Sequence, residues 1–303
     1  MEKSGFHFAA AGEKERIAKR MARSGLCSRR EAEAIILAGR VSVNGTVLDS
    51  PAFTVGPLDR ILVDGKKLGG TEPTRLWRYY KPRGLIVSNQ DEKGRQTIYD
   101  ALPENLPRLV SVGRLDMDSE GLLLLTNDGA LARHLELPQT GWLRKYRVRV
   151  HGRIEEARLE ALQDGIEIDG FRYDSLLARL DSQMNSNAWL TISIREGKNR
   201  EIRKVMEHLG WPVSRLIRLS YGPFMLGKLE AGAVAEVPTA SLMDQLGLGR
   251  PVQKKSTPRL RLAKSQPGPA GKTGNRKAGQ KKAEKKAGKN AAHHRRKPPR
   301  HKA

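Results

Sequence analysis

Cysteine is nearly absent from the sequence, and long apolar runs are absent altogether. The single cysteine, Cys27, excludes an intramolecular disulfide framework and a zinc cluster of thiolates. No run approaches the roughly 20 apolar residues needed to span a bilayer, and the first 16 residues lack the apolar core of a signal peptide. We therefore expect a soluble protein of the reducing cytoplasm.

Patterns typical of metal and nucleotide sites are also missing. The histidines, among them His134, His151 and His208, do not show the spacing of metal ligands. No glycine-rich loop of the kind that cradles phosphate groups occurs in the sequence. We therefore expect chemistry that needs neither a metal ion nor a bound cofactor.

Acidic residues are scarce relative to basic ones, and the imbalance is concentrated at one end of the chain. The 303 residues include 56 Lys and Arg against 33 acidic residues, a formal charge of +23. Residues 250–303 contain 19 of the basic residues and one acid, Glu284, so they carry +18, whereas the rest of the chain carries only +5. This tail also has no aromatic residue. It cannot bury enough apolar surface to offset its ordering entropy, and we predict that it is disordered.

Composition and turn residues divide the remaining sequence into two folded parts. Residues 1–12 are small and weakly patterned, which predicts a disordered N-terminus. Residues 13–72 form a first module, which ends in a linker with glycine and proline at residues 69–73. Residues 76–246 mix strand and helix patterns and are long enough for a second, larger domain.

The first module combines two short helices with small strands. A helix is predicted from residue 13 to about residue 24, and Ser28 with Glu31 forms a capping-box pattern at the start of a second helix. Short segments that alternate apolar and polar residues follow at residues 40–43 and 60–63. Each precedes an Asn-Gly or Asp-Gly pair, which predicts tight hairpin turns.

In the larger domain, strand and helix patterns alternate along the chain. Residues 146–150 and 190–194 alternate with a period of two, which predicts half-buried strands. Residues 199–209 place their apolar side chains on one helical face. Together, these patterns predict an α+β fold: a small α/β module, a larger domain with a mostly antiparallel mixed sheet and flanking helices, and the basic tail.

Basic residues cluster where the two helices of the first module meet. Taken alone, such a cluster is more often a solvated helix face. The segments of residues 22–32 and 39–45, however, closely resemble the S4 RNA-binding domain, over about residues 14–70. The resemblance implies that the helix pair presents arginines to the phosphates of folded RNA, for which the guanidinium fork is suited. The candidate contacts are Arg23, Arg29, Arg30 and Arg40.

An acidic segment at residues 113–129 has three possible interpretations. Asp116, Asp118 and Glu120 match the opening of a calcium-binding EF-hand loop, but Asn127 occupies the twelfth position, where that loop needs a carboxylate. We therefore reject a calcium loop. The other two interpretations are a solvated acidic turn before a buried strand and a catalytic carboxylate at the mouth of that strand.

Resemblance to a family favours the catalytic carboxylate. The segment Gly113–Gly129 resembles the aspartate motif of the RsuA-type pseudouridine synthases, and other segments resemble the remaining motifs of that family in the same order. Together with the S4-like module, the match covers residues 14–246, roughly three quarters of the chain. The other matching segments are Tyr80–Gly84, Lys145-Tyr146, Glu196–Arg203, Val213–Arg218 and Tyr221–Pro223.

The resemblance implies an enzyme that isomerises a uridine of ribosomal RNA to pseudouridine. Asp116 corresponds to the catalytic aspartate of the family, which acts either as a nucleophile or as the base that removes a ribose proton. The sequence leaves both roles open. Tyr146 corresponds to the tyrosine that stacks on the target base, and Arg203 to the basic residue that pairs with the aspartate and keeps it ionised.

Other residues of the matched motifs are expected to bind the substrate. Leu216 or the adjacent Ile217 is a candidate for the apolar wall of the base pocket, although core packing is an equal alternative. Glu201 stands where relatives often have glutamine, a difference expected to be harmless because Arg203 carries the pairing role. The basic residues expected to contact RNA are Arg114, Lys81, Arg83, Lys198 and Arg200.

The combination of an S4 module with a long basic tail is most similar to family members that act on the large ribosomal subunit. We therefore expect 23S ribosomal RNA as the substrate, free or within a pre-ribosomal particle, and a monomeric enzyme. The alternatives are the same chemistry on 16S ribosomal RNA and a non-catalytic S4-type ribosome-assembly factor. A membrane-surface protein is disfavoured because no amphipathic anchor helix or lipidation motif occurs.

Deleting residues 250–303 should weaken RNA binding without changing the rate at saturating RNA. Each phosphate that the tail neutralises adds roughly 0.7 to 0.9 to the slope of log affinity against log salt, so the truncation should flatten this dependence and raise KM. Binding isotherms at several salt concentrations and steady-state kinetics measure both effects. An unchanged salt slope, or a loss of the saturated rate in a folded truncated protein, would contradict this role of the tail.

Overall fold

The computed structural model describes residues 5–8 and 14–248, in which a small N-terminal module precedes a larger sheet domain. The disordered tail predicted at residues 250–303 lies outside the described residues, as does most of the predicted disordered N-terminus. None of the helices in the described ranges is long and apolar enough to cross a membrane. The predicted α+β fold with a mostly antiparallel mixed sheet is confirmed.

The N-terminal module consists of two helices packed on small antiparallel strands. An apolar cluster joins the layers, and Ile17, Met21, Ile36 and Val41 are fully enclosed within it, with Cys27 also buried there. Its elements are β1 (Glu15–Arg16), α1 (Ile17–Arg23), α2 (Arg29–Leu37), β2 (Val41–Val43), β3 (Thr46–Val47), β4 (Thr54–Val55), β5 (Ile61–Val63) and β6 (Lys66–Lys67).

Local sequence signals set the ends of these elements. The Ser28 hydroxyl accepts a hydrogen bond from the Glu31 amide at 3.0 Å, and the Glu31 carboxylate accepts one from the Ser28 amide at 2.6 Å. The predicted capping box at the start of α2 is therefore confirmed. Asn44 and Asp64 adopt φ values of 52° and 51° in the turns after β2 and β5, as hairpin turns of this type require.

Two predictions for the N-terminal region are wrong. The first helix begins at residue 17 rather than 13, because the two preceding residues are extended and pair with β4. Residues 5–8, expected to be disordered, make specific contacts with the larger domain. The Phe8 amide donates a hydrogen bond to the Thr74 hydroxyl at 2.9 Å, and the Phe8 ring lies 5.1 Å from the His134 ring. Aromatic side chains thus supply contacts that the weak local pattern did not indicate.

The larger domain contains the remaining helices and strands. Short 3-10 helices occur at Tyr99–Ala101, Pro138–Thr140 and Ala161–Asp164. The strands and α-helices are β7 (Leu76–Lys81), β8 (Val110–Val112), β9 (Glu120–Thr126), α3 (Gly129–Glu136), β10 (Arg144–His151), α4 (Glu156–Glu160), β11 (Ile166–Ile168), β12 (Phe171–Tyr173), β13 (Leu177–Met184), β14 (Asn187–Ile194), α5 (Glu201–His208), β15 (Val213–Tyr221), β16 (Phe224–Met225), β17 (Val234–Val237) and α6 (Thr239–Gln245).

Nine of these strands form one mixed sheet in the order β13-β14-β10-β15-β9-β7-β17, with β16 beside β15 and β8 beside β9. All pairs are antiparallel except β9 with β15, which run parallel. The central strand β9 carries Leu122–Leu125, all of which are fully buried. Such a run is typical of a strand that is covered on both faces. Leu123 and Leu125 belong to one apolar core, whereas Leu122 and Leu124 belong to a second core behind the sheet.

Gly121 allows β9 and β15 to approach closely at the start of their parallel pairing. Its φ is +103°, a conformation that side chains rarely adopt. A Cβ at this position would lie 2.7 Å from the Arg218 backbone nitrogen and closer still to the Arg218 carbonyl oxygen. Because both atoms belong to the backbone of β15, neither moves without displacing the strand. The position therefore requires glycine.

Gly121→Ala should lower the free energy of unfolding by about 3 kcal/mol or more, because backbone strain and overpacking each cost roughly 1 to 3 kcal/mol. Gly170→Ala is the matched control, since Gly170 also has a positive φ, +75°, but no atom lies within 4 Å of the added Cβ. The free energy of unfolding of the control variant should fall only by the cost of backbone strain. Equal losses in denaturant titrations of the two variants would show that the β9–β15 approach is not the constraint.

Candidate active site

The acidic segment of the sequence forms a turn that leads into β9. The Ser119 amide donates a hydrogen bond to the Asp116 carbonyl oxygen at 3.0 Å, which closes the turn. The Gly84 amide donates to the Met117 carbonyl oxygen at 2.8 Å, so the segment after β7 braces the turn from the side. The Asp116 side chain is 36% exposed. Its carboxylate is thus accessible, whereas the backbone that carries it is fixed at several points.

Lys81 lies beneath this turn with no solvent exposure. Its ammonium donates to the carbonyl oxygens of Asp116 at 3.1 Å, Ser119 at 2.9 Å and Pro82 at 3.0 Å, so all three donors are used. Burial lowers the pKa of Lys81 to about 8, although the nearby carboxylates of Asp116, Asp118 and Glu120 oppose that shift. The buried ammonium therefore ties both ends of the turn to the end of β7.

The prediction that Lys81 contacts an RNA phosphate is wrong, because an enclosed ammonium cannot reach a polyanion. Trp77, Tyr79 and Lys81 occupy alternate positions of β7, and the first two belong to the core on that face of the sheet. The period of two along a strand places the lysine on the same buried face. This alternation is the sequence signal that could have identified its structural position.

Arginines of the α5 region hold the turn from the opposite side through Asp118. Arg200 donates to the Asp118 carboxylate at 3.1 Å, and the Arg203 guanidinium lies 3.3 Å from it. Arg203 also donates to the carbonyl oxygens of Asp118 at 3.0 Å and Val213 at 3.1 Å. Burial alone would raise the pKa of Asp118, but the Arg200 hydrogen bond and the charges of Arg203 and Arg200 lower it below its ordinary value. Asp118 therefore belongs to the turn itself, and its carboxylate anchors the turn to the arginines of the α5 region.

The predicted pairing of Arg203 with Asp116 is not observed. Arg203 is 8% exposed, and its carboxylate partner is Asp118. The cation closest to the Asp116 carboxylate is Arg200, at 3.9 Å. Burial lowers the pKa of Arg203, although the negative charge of Asp118 opposes that shift. Arg203 therefore acts on Asp116 through the backbone of the turn rather than by direct contact.

Asp116 lies at a cavity of about 240 Å³. Tyr146 and Leu216 are buried residues of its wall, in the adjacent strands β10 and β15. Along β10, Tyr146 alternates with exposed arginines and shares its face with Val148 and Val150, as the period-two pattern predicted. The sheet thus brings the predicted aspartate, tyrosine and leucine together from three separate motifs.

Some of the basic residues predicted to contact RNA line the cavity, and others lie outside it. Arg114, Lys198 and Arg200 line the cavity together with Asp116, whereas Arg83 is exposed but outside the lining. The Lys198 ammonium lies 2.7 Å from the Glu196 carboxylate and donates to a backbone carbonyl at 2.6 Å. Of the five predicted basic contacts, Arg114, Arg83 and the buried Lys81 have no ion pair within the described ranges.

Glu201 is a buried carboxyl in the wall of the same cavity. Burial, together with the hydrogen bond to Glu196 and the charge of that residue, raises the pKa of Glu201 to about 8. The raised pKa favours the protonated form of Glu201, and its Oε2 accepts a hydrogen bond from the Lys198 amide at 3.1 Å. A protonated carboxyl can donate a hydrogen bond, as the amide of a glutamine can, so the two side chains offer similar hydrogen bonding at this position.

The arginines predicted to contact RNA in the N-terminal module differ in exposure. Arg29 and Arg30 are exposed at the start of α2, as expected for contacts with RNA. Arg40 is also exposed but donates to both carboxylate oxygens of Asp64 at 2.7 Å. The prediction for Arg23 is wrong, because its side chain is only 10% exposed and lies 2.9 Å from the buried Glu15 carboxylate. Arg23 stabilises the module instead.

The described part of the chain contains no group of three or more His, Cys, Asp or Glu residues arranged to hold a metal ion. The acidic turn places Asp118 against arginines and Glu120 against Arg215, which donates to it at 2.7 and 3.0 Å. These carboxylates are therefore used in ion pairs. Asp116 is the acid of this turn whose carboxylate accepts no hydrogen bond within 3.5 Å from a described residue.

Comparison with known proteins gives the same family over most of the chain. Residues 75–208 match the model of the RNA pseudouridylate synthases, and residues 15–61 match the S4 domain. An uncharacterized RNA pseudouridine synthase of Rickettsia felis is 44% identical over 223 residues, which cover 74% of this chain and 96% of that protein. Ribosomal large subunit pseudouridine synthase B of Escherichia coli strain K12 is 38% identical over 233 residues, 75% of this chain and 80% of that protein.

A solved structure extends the similarity to the three-dimensional fold. A crystal structure of a pseudouridylate synthase superposes with a TM-score of 0.53 at 27% identity, and the match covers 76% of this chain and 99% of the other. The family model, the sequence relatives and the solved structure therefore agree. The chain belongs to the RNA pseudouridine synthase family and carries an S4 domain ahead of its synthase domain.

Proposed function

We propose that this enzyme isomerises a specific uridine of 23S ribosomal RNA to pseudouridine, with Asp116 as its catalytic carboxylate and without a cofactor. Similarity to the large subunit synthase B over 80% of that protein supports ribosomal RNA of the large subunit as the substrate. We further propose that the enzyme acts as a monomer. The same chemistry on 16S ribosomal RNA is the alternative substrate.

One observation carries the catalytic role. The Asp116 carboxylate is accessible on a turn whose backbone is held by a buried ammonium below and by the Arg203–Asp118 contacts beside it. Catalytic groups need this combination, because a fixed geometry removes the entropy cost of positioning at the moment of reaction. A merely solvated acidic turn needs no buried lysine beneath it.

The size and lining of the cavity suit one nucleoside. Its volume of about 240 Å³ is below the roughly 300 to 1,000 Å³ of sites for drug-sized ligands. Tyr146 offers an aromatic face to a pyrimidine ring, and Leu216 offers an apolar wall. A uridine within structured RNA must be extruded to enter, which costs a few kcal/mol. Phosphate contacts of Arg114, Arg29 and Arg30 offset that cost.

The reaction rearranges bonds without a net gain or loss of atoms. The N1–C1′ bond breaks, the uracil ring rotates, C5 joins C1′, and the C5 proton leaves as N1 acquires one. Asp116 assists either by forming a transient bond to the substrate or by removing a ribose proton. Tyr146 holds the ring by stacking during its rotation and assists loss of the C5 proton.

Asp116→Asn should abolish pseudouridine formation and leave RNA affinity nearly unchanged, because the substitution is isosteric and removes only the carboxylate. Asp244→Asn is the matched control, since Asp244 is an exposed residue of α6. Turnover of both variants on 23S ribosomal RNA, with direct mapping of pseudouridines, measures the effect. Substantial residual turnover in the Asp116 variant would refute the catalytic assignment. Modification of 16S instead of 23S RNA by the wild-type enzyme would refute the substrate alone.

Lys81→Met should reduce the rate at saturating RNA more than it changes KM, because three carbonyl oxygens lose their donor and the Asp116 turn loosens. We expect a loss of about 1 to 3 kcal/mol in the free energy of unfolding, the usual cost of unpaired buried groups. Lys204→Met on the exposed face of α5 is the control and should change neither quantity. A folded Lys81 variant with an unchanged saturated rate would show that the ammonium does not position the turn.

A further inference from the structure

The face of the sheet opposite the cavity carries exposed arginines. Along β10, Tyr146, Val148 and Val150 point into the core on the cavity side, so Arg147 and Arg149 point to the other side, where both are exposed. The register places Arg179 of β13, Trp189 of β14 and Arg215 of β15 on that same side. We call these five residues the basic sheet face: Arg147, Arg149, Arg179, Arg215 and Trp189.

The charges on the basic sheet face are only partly neutralised. Arg179 lies 3.0 Å from the Asp181 carboxylate, and Arg215 is paired with Glu120. Within the described ranges, no carboxylate lies within 4 Å of the Arg147 or Arg149 guanidinium. The surface therefore presents two unpaired guanidinium groups between two paired ones.

The register of β10 with β15 places two of these arginines in direct opposition. Arg149 faces Arg215 across the strand pair. Like charges directly opposite on one sheet face destabilise the pairing. Glu120 offsets the charge of Arg215 through two hydrogen bonds at 2.7 and 3.0 Å but leaves Arg149 unpaired. A local arrangement whose cost in stability is only partly compensated points to a use outside the fold.

The same face has an aromatic element. The Arg147 guanidinium lies 4.6 Å from the centroid of the half-buried Trp189 ring, in a cation–π arrangement that holds its planar fork at the surface. Arg147 and Arg149 are two residues apart on one strand, so their side chains leave the sheet about 6.6 Å apart. Guanidinium groups spaced along a strand beside an aromatic ring are suited to a polynucleotide backbone.

We propose that the basic sheet face binds the phosphate backbone of a second segment of the substrate RNA, remote from the uridine held in the cavity. This inference rests on the proposed function, since it extends the footprint of the same RNA around the synthase domain. Charge complementarity favours RNA as the occupant. A second copy of this face would bring arginine against arginine, and the basic tail of this chain, with its charge of +18, would be repelled.

The test compares RNAs of two lengths. The double substitution Arg147→Gln and Arg149→Gln in the full chain removes two charges and keeps polar side chains. The matched control is Arg133→Gln with Lys228→Gln, which removes two exposed charges from other elements. Binding is measured on a full-length 23S ribosomal RNA transcript and on its shortest fragment that the wild-type enzyme still modifies, each over a range of salt concentrations, with melting temperatures confirming that the variants fold.

The double variant should bind the full transcript several-fold more weakly, with a salt slope smaller by about 1.4 to 1.8 for two lost phosphate contacts. It should bind the short fragment like the wild type, and the control variant should bind both RNAs like the wild type. Unchanged affinity and slope on the transcript would overturn the proposal, as would an equal loss in the control variant.

Two further outcomes would also overturn the proposal that the basic sheet face binds RNA. An equal loss on the short fragment would place the arginines in the primary site, and wild-type self-association abolished by the substitutions would make a second copy the occupant. Turnover by the wild-type enzyme reports separately on the proposed function. If the transcript is bound but never modified, the proposed function fails, while the comparison of variants on the transcript still decides whether this face binds RNA.

Discussion

The buried ammonium of Lys81 is the interaction on which the site depends. Three backbone carbonyls, two of them in the acidic turn, converge on one charge that has no access to solvent. Burying an ammonium is costly unless every donor is used, and here every donor is used. The arrangement fixes the backbone of Asp116 before any RNA arrives. Gly121, near the start of β9, allows β9 to pair closely with β15. This pairing places the turn beside Tyr146 and Leu216 in the cavity wall.

Much of this structure could be predicted from local patterns in the sequence. Alternation of apolar and polar residues identified the strand of Tyr146, and the buried strand expected after the acidic turn is β9, which carries the four leucines of residues 122–125. The Ser28–Glu31 capping box and the Asn-Gly turn are local signals and form as expected. Local patterns cannot predict that Asp116, Tyr146 and Leu216 lie at one cavity, because this depends on the order of the strands in the sheet. The resemblance to the synthase family predicted it.

The wrong predictions concern the contacts of lysine and arginine side chains. A lysine or arginine in a nucleic-acid enzyme suggests a phosphate contact, yet Lys81 and Arg23 are used inside the protein. Arg203 pairs with Asp118 because α5 meets the turn two residues beyond the accessible Asp116. These outcomes depend on the three-dimensional positions of carboxylates and carbonyls, which residue type alone does not reveal. Conversely, the register that groups Arg147 and Arg149 with Trp189 becomes visible only once the strands are paired.

The catalytic role of Asp116 can be tested with a structure of the Asp116→Asn variant bound to a uridine-containing substrate RNA. We expect an extruded uridine in the cavity, its ring stacked on Tyr146 and its C1′ about 3 to 3.5 Å from the side chain at position 116, the separation of a reactive geometry. The hydrogen bonds of Lys81 to the turn should be unchanged from the free protein. A uridine bound away from position 116, or a turn that forms only after Lys81 releases its carbonyls, would show that the Lys81-braced turn does not position the catalytic carboxylate.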